Sequence, residues 1–117
     1  MREFYEVFAD VVRDDVEAST RLREHIEHRA TIANVRELLE SGGFKIARVV
    51  ERESVMRFAN GTALLNHYFI KLGFLDAWKK VVAGNERDVF ARLRDALDDV
   101  GELRLTIPMA YVEATAA

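Results

Sequence analysis

FKIARVVERESVMRF, residues 44 to 58, is rich in Val, Ile and Phe and partly alternates apolar with polar positions. That pattern reads as one long β-strand. The alternation slips near RVVERE. A slip of one residue exchanges the two faces of a strand, so a bulge is expected around Val49 and Val50, with Phe44 and Ile46 in one register and Val55 in another. A second strand lies in ELRLTIPMAYVE, residues 102 to 113, where Leu103, Leu105, Ile107, Met109 and Tyr111 alternate on one face. Two strands alone are marginal, because each leaves a row of unpaired backbone groups on its outer edge, so the pair reads as part of a sheet. Pro108 cannot donate to a ladder and makes one side of the last strand a poor pairing edge at that point.

Helices surround this pair. Phe4, Val7, Phe8, Val11 and Val12 recur at helical spacing, which predicts an amphipathic helix over residues 2 to 14. Ala18, Leu22 and Ile26 continue a weaker, highly charged helical pattern through EASTRLREHIEHR. Thr31 is placed to N-cap a helix carrying Ile32, Val35, Leu38 and Leu39, which the SGG at 41 to 43 stops. Asn60 and Gly61 end the first strand and open a helix that is apolar nearly all round: Leu64, Leu65, Tyr68, Phe69, Ile70 and Leu72 spread over most of its wheel. FLDAWKKVV makes a further helix ending at Gly84, and Asn85 with Asp88 supplies an N-cap and first-turn acid for the last. Val89, Phe90, Leu93, Leu97 and Val100 give that last helix its stripe, and Gly101 stops it. The predicted order is three helices, a strand, three helices and a strand, in a single domain over residues 1–117.

Composition narrows the class. A chain of 117 residues, 50% hydrophobic and 32% charged, fits one globular domain with a modest core. The net charge of -3 comes from interleaved acids and bases, with no basic face for nucleic acid and no polybasic membrane anchor. The absence of cysteine removes disulfides, thiolate metal sites and cysteine nucleophiles, and suits a reducing cytosol. No apolar run approaches about 18 residues, and MREFYEVF lacks the features of a signal peptide. A soluble, cytoplasmic chain without nucleic-acid or membrane partners is expected.

The run LLESGGFKIARVVERESVMRFANGTALLNHYFIKLGFLDAW, followed after a helix by GELRLTIPMAYVEA, resembles the C-terminal part of class I S-adenosylmethionine-dependent methyltransferases. In that family a helix ending in a Gly-Phe pair, here Gly43 and Phe44, leads into the sixth strand. A helical insertion follows, and a seventh strand of Leu-Thr-Ile-Pro type closes the sheet as a hairpin with the sixth. The segment REFYEVFADVV looks like the family's stretch near the acceptor site. The resemblance implies an α/β fragment, α+β as an isolated chain, with helices packed on a long antiparallel hairpin. It implies S-adenosylmethionine as cofactor of the parent enzyme and a small-molecule methyl acceptor as its partner. The family's cofactor site needs a glycine-rich turn after a first strand and an acid after the second. None of the six glycines here follows a strand in such a turn. The chain is therefore expected to lack the cofactor-binding half and to be inactive alone.

Helices inserted between the last two strands would lie over the acceptor pocket. On a wheel from Thr62, the narrower arc holds Asn66, Ile70, Ala63, His67 and Lys71, so Asn66, His67 and Lys71 are candidate acceptor contacts. His67 is also the ordinary satisfied histidine of a core or interface. Methyl transfer rests largely on positioning, so no catalytic dyad is required and no catalytic residue is assigned. Arg57 and Asn60, at the strand end, are polar pocket groups or turn residues. Tyr5, with Phe4 and Phe8, belongs to a core cluster from which one ring could face substrate. Trp78 reads as core or an interface anchor. His25 and His28 lack a third metal ligand nearby and read as a solvated face.

Two consequences of this organisation are expected. If the strand that flanks the last strand in the family is absent, residues 102 to 114 present a bare apolar edge, and the chain forms a homodimer through that strand or through exchanged helices. The alternative is a freestanding α+β interaction or small-ligand module whose strands pair with a partner chain.

Overall fold

The computed structural model describes all of residues 1–117. Helices α1 (Arg2–Val11), α2 (Val16–Glu27) and α3 (Ile32–Ser41) precede strand β1 (Phe44–Phe58). Helices α4 (Gly61–Asn66), α5 (Tyr68–Gly73), α6 (Leu75–Val81) and α7 (Glu86–Val100) separate it from β2 (Leu103–Ala116). The fold is α+β, with seven helices on a two-stranded antiparallel hairpin. Phe58 pairs with Leu103 at its closed end and Phe44 with Ala116 at its open end.

Local chemistry sets most boundaries. Asp15 caps α2 by accepting the Ala18 N–H at 3.0 Å. Thr31 and Asn34 form a reciprocal capping box at the start of α3. Gly43 and Gly101 take φ of +87° and +86° where α3 and α7 give way to the strands, a region that side chains disfavour. The first helix stops at Val11, short of residue 14, because the chain turns at Arg13 and Asp14 before Asp15 starts α2. Asn85 makes no side-chain cap to α7. The bulge falls between Ile46 and Arg48, upstream of Val49.

The helix expected to run from Gly61 to Leu72 is two helices, so four rather than three lie between the strands. His67 breaks it: its backbone is extended (φ −67°, ψ 134°), and its Nδ1 accepts the Phe69 N–H at 3.2 Å as the cap of α5. The continuous wheel therefore does not apply. Leu64, Leu65 and Ile70 turn into the core, while Tyr68 and Leu72 are 75% and 70% exposed.

The core lies at one end. Trp78 stacks on Phe4 with ring centroids 4.1 Å apart, and Phe8, Leu64, Ile70, Leu93 and Leu97 close around them. Leu103, Leu105 and Phe58 bring one face of the hairpin into this head. Further along, Ile32 and Val35 of α3 line a groove with Ala110 and Val112 of the opposite face. The remaining sheet surface is open, and Met109 and Tyr111 are each 57% exposed. The molecule measures 51 × 30 × 21 Å with a radius of gyration of 16.9 Å, against about 13 Å for a compact chain of this length. Its long axis is the hairpin.

Candidate functional site

Of the six residues singled out from the sequence, four are engaged in holding the fold. Tyr5 is buried, and its hydroxyl accepts the Trp78 indole N–H at 3.2 Å. The same hydroxyl lies 3.0 Å from His25 Nε2. The phenol donates to a neutral imidazole that carries its proton on Nδ1 and accepts from one that carries it on Nε2. Burial, with Arg29 and His28 adding to it, holds the His25 pKa below the ordinary histidine range. His25 is thus a member of the head's polar network, not of the solvated face expected for it; His28 is exposed and bonds to the Glu24 carbonyl of its own helix.

Arg57 donates through Nε and Nη2 to one Glu102 oxygen at 2.9 and 2.7 Å, clamping the closed end of the hairpin. Those hydrogen bonds and the guanidinium charge keep the Glu102 carboxyl below the usual carboxylate range. Asn60 is the N-cap of α4, accepting the Ala63 N–H at 2.8 Å. His67 caps α5 and sets its ring edge-on to Phe58, centroids 5.4 Å apart.

Asn66 and Lys71 come together. They line a cleft of about 490 Å3 between α4, α5, α6 and α7, floored by Leu65, Leu75 and Phe90. Lys79, Arg87 and Arg94 complete its basic rim, with Glu86 as the one carboxylate. None of these four cations joins an ion pair. Arg87, Phe90 and Arg94 share one face of α7 at spacings of three and four, a sequence signal for this cleft that was open to reading.

The two sheet edges differ in chemistry. The Thr106 N–H donates outward to Glu3 Oε1 at 2.6 Å, and the Thr106 carbonyl accepts from the Met1 amino group. Burial works against the Glu3 charge, but the bonds from Thr106 outweigh it and lower the pKa. Residues two apart in a strand share a side, so Pro108, Ala110, Val112 and Ala114 also turn their backbone outward. Pro108 therefore removes an edge donor and no ladder bond. Beyond Thr106 this edge carries no charged side chain. Thr106 pairs with Val55, so the outer edge of β1 bears Glu51, Glu53 and Arg57 with Val49 and Val55. Such charges blunt an edge against pairing.

The turn from β1 into α4 is the strand-to-helix turn that contains a glycine, and it has no room for a ligand. A Cβ on Gly61 would meet Leu97 Cβ at 2.4 Å. Compared with protein-family models, curated proteins and solved structures, the chain matches none.

Proposed function

We propose that this chain is the C-terminal, acceptor-side portion of a class I S-adenosylmethionine-dependent methyltransferase, with the cofactor held by another part of the parent protein. The observation that carries the reading is the asymmetry of the two edges. β1 has the charged border of an outermost strand, whereas β2 beyond Pro108 has the uncharged border of a strand that accepts a neighbour. That is the order the resemblance implies, with the last strand between its hairpin partner and a strand of the cofactor half. Support also comes from the element order: a helix closed by Gly43, a long strand, a helical insertion and a strand entered through Gly101.

In this reading the helices between the strands form the acceptor side, and of the six candidates Asn66 and Lys71 remain for contact with a small-molecule acceptor. Tyr5, Arg57, Asn60 and His67 hold those helices and the hairpin in place. No proton-transfer residue is assigned, since methyl transfer depends on lining up the acceptor atom. On its own the chain offers the free part of β2 to a second copy, and a homodimer is the corresponding state.

The test is the native polypeptide that carries these residues. Its mass is measured after capture with an antibody to residues 1–117, followed by photo-crosslinking with methyl-labelled S-adenosylmethionine. The expected product is well above 13.4 kDa and takes the label. A native polypeptide of 13.4 kDa that takes none would overturn the reading.

A further inference from the structure

The basic cleft in the head has a chemistry of its own. The chain carries a net charge of -3, yet Lys71, Lys79, Arg87 and Arg94 converge on one concavity with only Glu86 opposed to them. They arrive from three helices: Lys71 from α5, Lys79 from α6, and Arg87 with Arg94 from α7. Elsewhere Arg57 pairs with Glu102 and Arg48 with Glu113 across the hairpin. Asp98, one helical turn on from Arg94 in α7, is committed to the N–H and hydroxyl of Thr62, each at 2.9 Å. Arg94 makes no ion pair with it, and its charge adds only a minor part to the bonds from Thr62 that hold the Asp98 carboxyl below the usual carboxylate range.

Four like charges around a shallow bowl repel one another and raise the local concentration of anions. Here they surround Leu65, buried Phe90 and half-buried Leu75. The volume, about 490 Å3, is of the size that holds small molecules.

We propose that this cleft binds a small organic anion, a carboxylate or phosphate carried on an apolar ring or short chain. The apolar body rests on Leu65, Leu75 and Phe90. The anionic group meets the rim, where a guanidinium of Arg87 or Arg94 can engage two oxygens at once and the lysines act as point charges. Asn66 and Glu86 provide acceptors for a hydroxyl or amide N–H on the same ligand. This assignment stands on the cleft alone and holds whether or not the parent protein transfers methyl groups.

The test is titration of the 15N-labelled chain with 1-naphthyl phosphate, 1-naphthol and inorganic phosphate. Saturable shifts are expected with naphthyl phosphate, centred on the amides of Lys71, Lys79 and residues 87 to 94, with naphthol and phosphate at least about tenfold weaker, as the loss of either the charged or the apolar half requires. The double variant Lys79→Gln/Arg94→Gln alters exposed side chains only, and is expected to weaken naphthyl phosphate by about tenfold or more. The double variant Arg13→Gln/Arg36→Gln, remote from the cleft, controls for net charge and is expected to bind as the parent chain does. Equal binding by both double variants, shifts centred elsewhere, or no saturation with naphthyl phosphate would each overturn the proposal.

Discussion

Gly61 lies against Leu97 so closely that a methyl group on its Cα would sit 2.4 Å from Leu97 Cβ, 3.0 Å from the Arg94 carbonyl and 3.2 Å from the Asp98 amide. The first turn of α4 rests directly on the α7 backbone here, and Asp98 reaches over to cap Thr62. Only Leu97 among these neighbours is a side chain, so α4 cannot take a methyl group without moving off α7. Gly61→Ala is expected to destabilise the chain by about 1–3 kcal/mol, the usual cost of overpacking a filled contact. Urea unfolding of Gly61→Ala, Leu97→Ala and the double variant checks it. In the double variant the Gly61→Ala loss should persist in full, because alanine at position 97 keeps the Cβ that the added methyl group meets, and the Arg94 and Asp98 backbone atoms stay in place.

Tyr5 joins three elements through one oxygen: α1 supplies the phenol, α6 the Trp78 donor and α2 the His25 ring nitrogen. Tyr5→Phe keeps the ring and strands a buried indole N–H, at an expected cost of about 1–3 kcal/mol. Thermal or urea unfolding measures it. A neutral effect would mean that the indole finds another partner within the head.

His25 makes stability depend on pH. Its folded-state pKa is depressed by burial, Arg29 and His28 below the ordinary 6.5. The unfolded chain thus takes up the proton first as pH falls, and its contribution is complete above about pH 6.5 and lost on going down toward the folded pKa. Unfolding free energy is expected to decline between about pH 7.5 and about pH 5. His25→Gln, whose amide can still bond to the Tyr5 hydroxyl but does not titrate, should flatten that decline. An unchanged slope in the variant would assign the dependence to other groups.

The strands and the caps were legible because their signals are local. The alternation over residues 44 to 58, the Thr31 cap and the glycines at 43 and 101 each act within a few residues. The break at His67 was not legible. A histidine inside TALLNHYFIKLGF carries no local mark of a stop, and its extended backbone goes with ring contacts to Phe69 and Phe58 made in the folded head. The bond between Tyr5 and His25 was hidden for the same reason, since twenty residues separate them. The cleft was half legible: Arg87, Phe90 and Arg94 show a shared face within α7, but Lys71 and Lys79 reach it only through the turns that the break at His67 and the bend at Phe74 create.

Residues 1–117 alone are expected not to bind S-adenosylmethionine. A backbone cradle needs a glycine that leaves space at a strand-to-helix turn, and Gly61 spends that space on Leu97. Titration calorimetry of the chain with the cofactor should give only dilution heats. A saturable one-to-one isotherm would place the cofactor on residues assigned here to packing.

The free stretch of β2 is expected to pair with a second copy when the chain is alone in solution. An antiparallel two-fold at Val112 sets Ala110 against Ala114 and Tyr111 against Glu113, with no like charges opposed. The same operation on β1, at its outward residues Glu51 or Glu53, sets that glutamate against its own copy. The β2 pairing leaves the charged β1 edges outermost, where they resist further growth. With the groove beside α3 included, the interface should reach roughly 1,000 Å2 in total. Ala110→Pro discriminates well, because Ala110 turns its N–H outward like Pro108, so the change removes an edge donor and no ladder bond. Sedimentation equilibrium should show a dimer that dissociates more readily in Ala110→Pro while circular dichroism stays unchanged. A single species of 13.4 kDa with slow amide exchange at Ala110, Val112 and Ala114 would mean that the chain covers this edge itself, and the argument that β2 is built to receive a neighbouring strand would fall with the dimer.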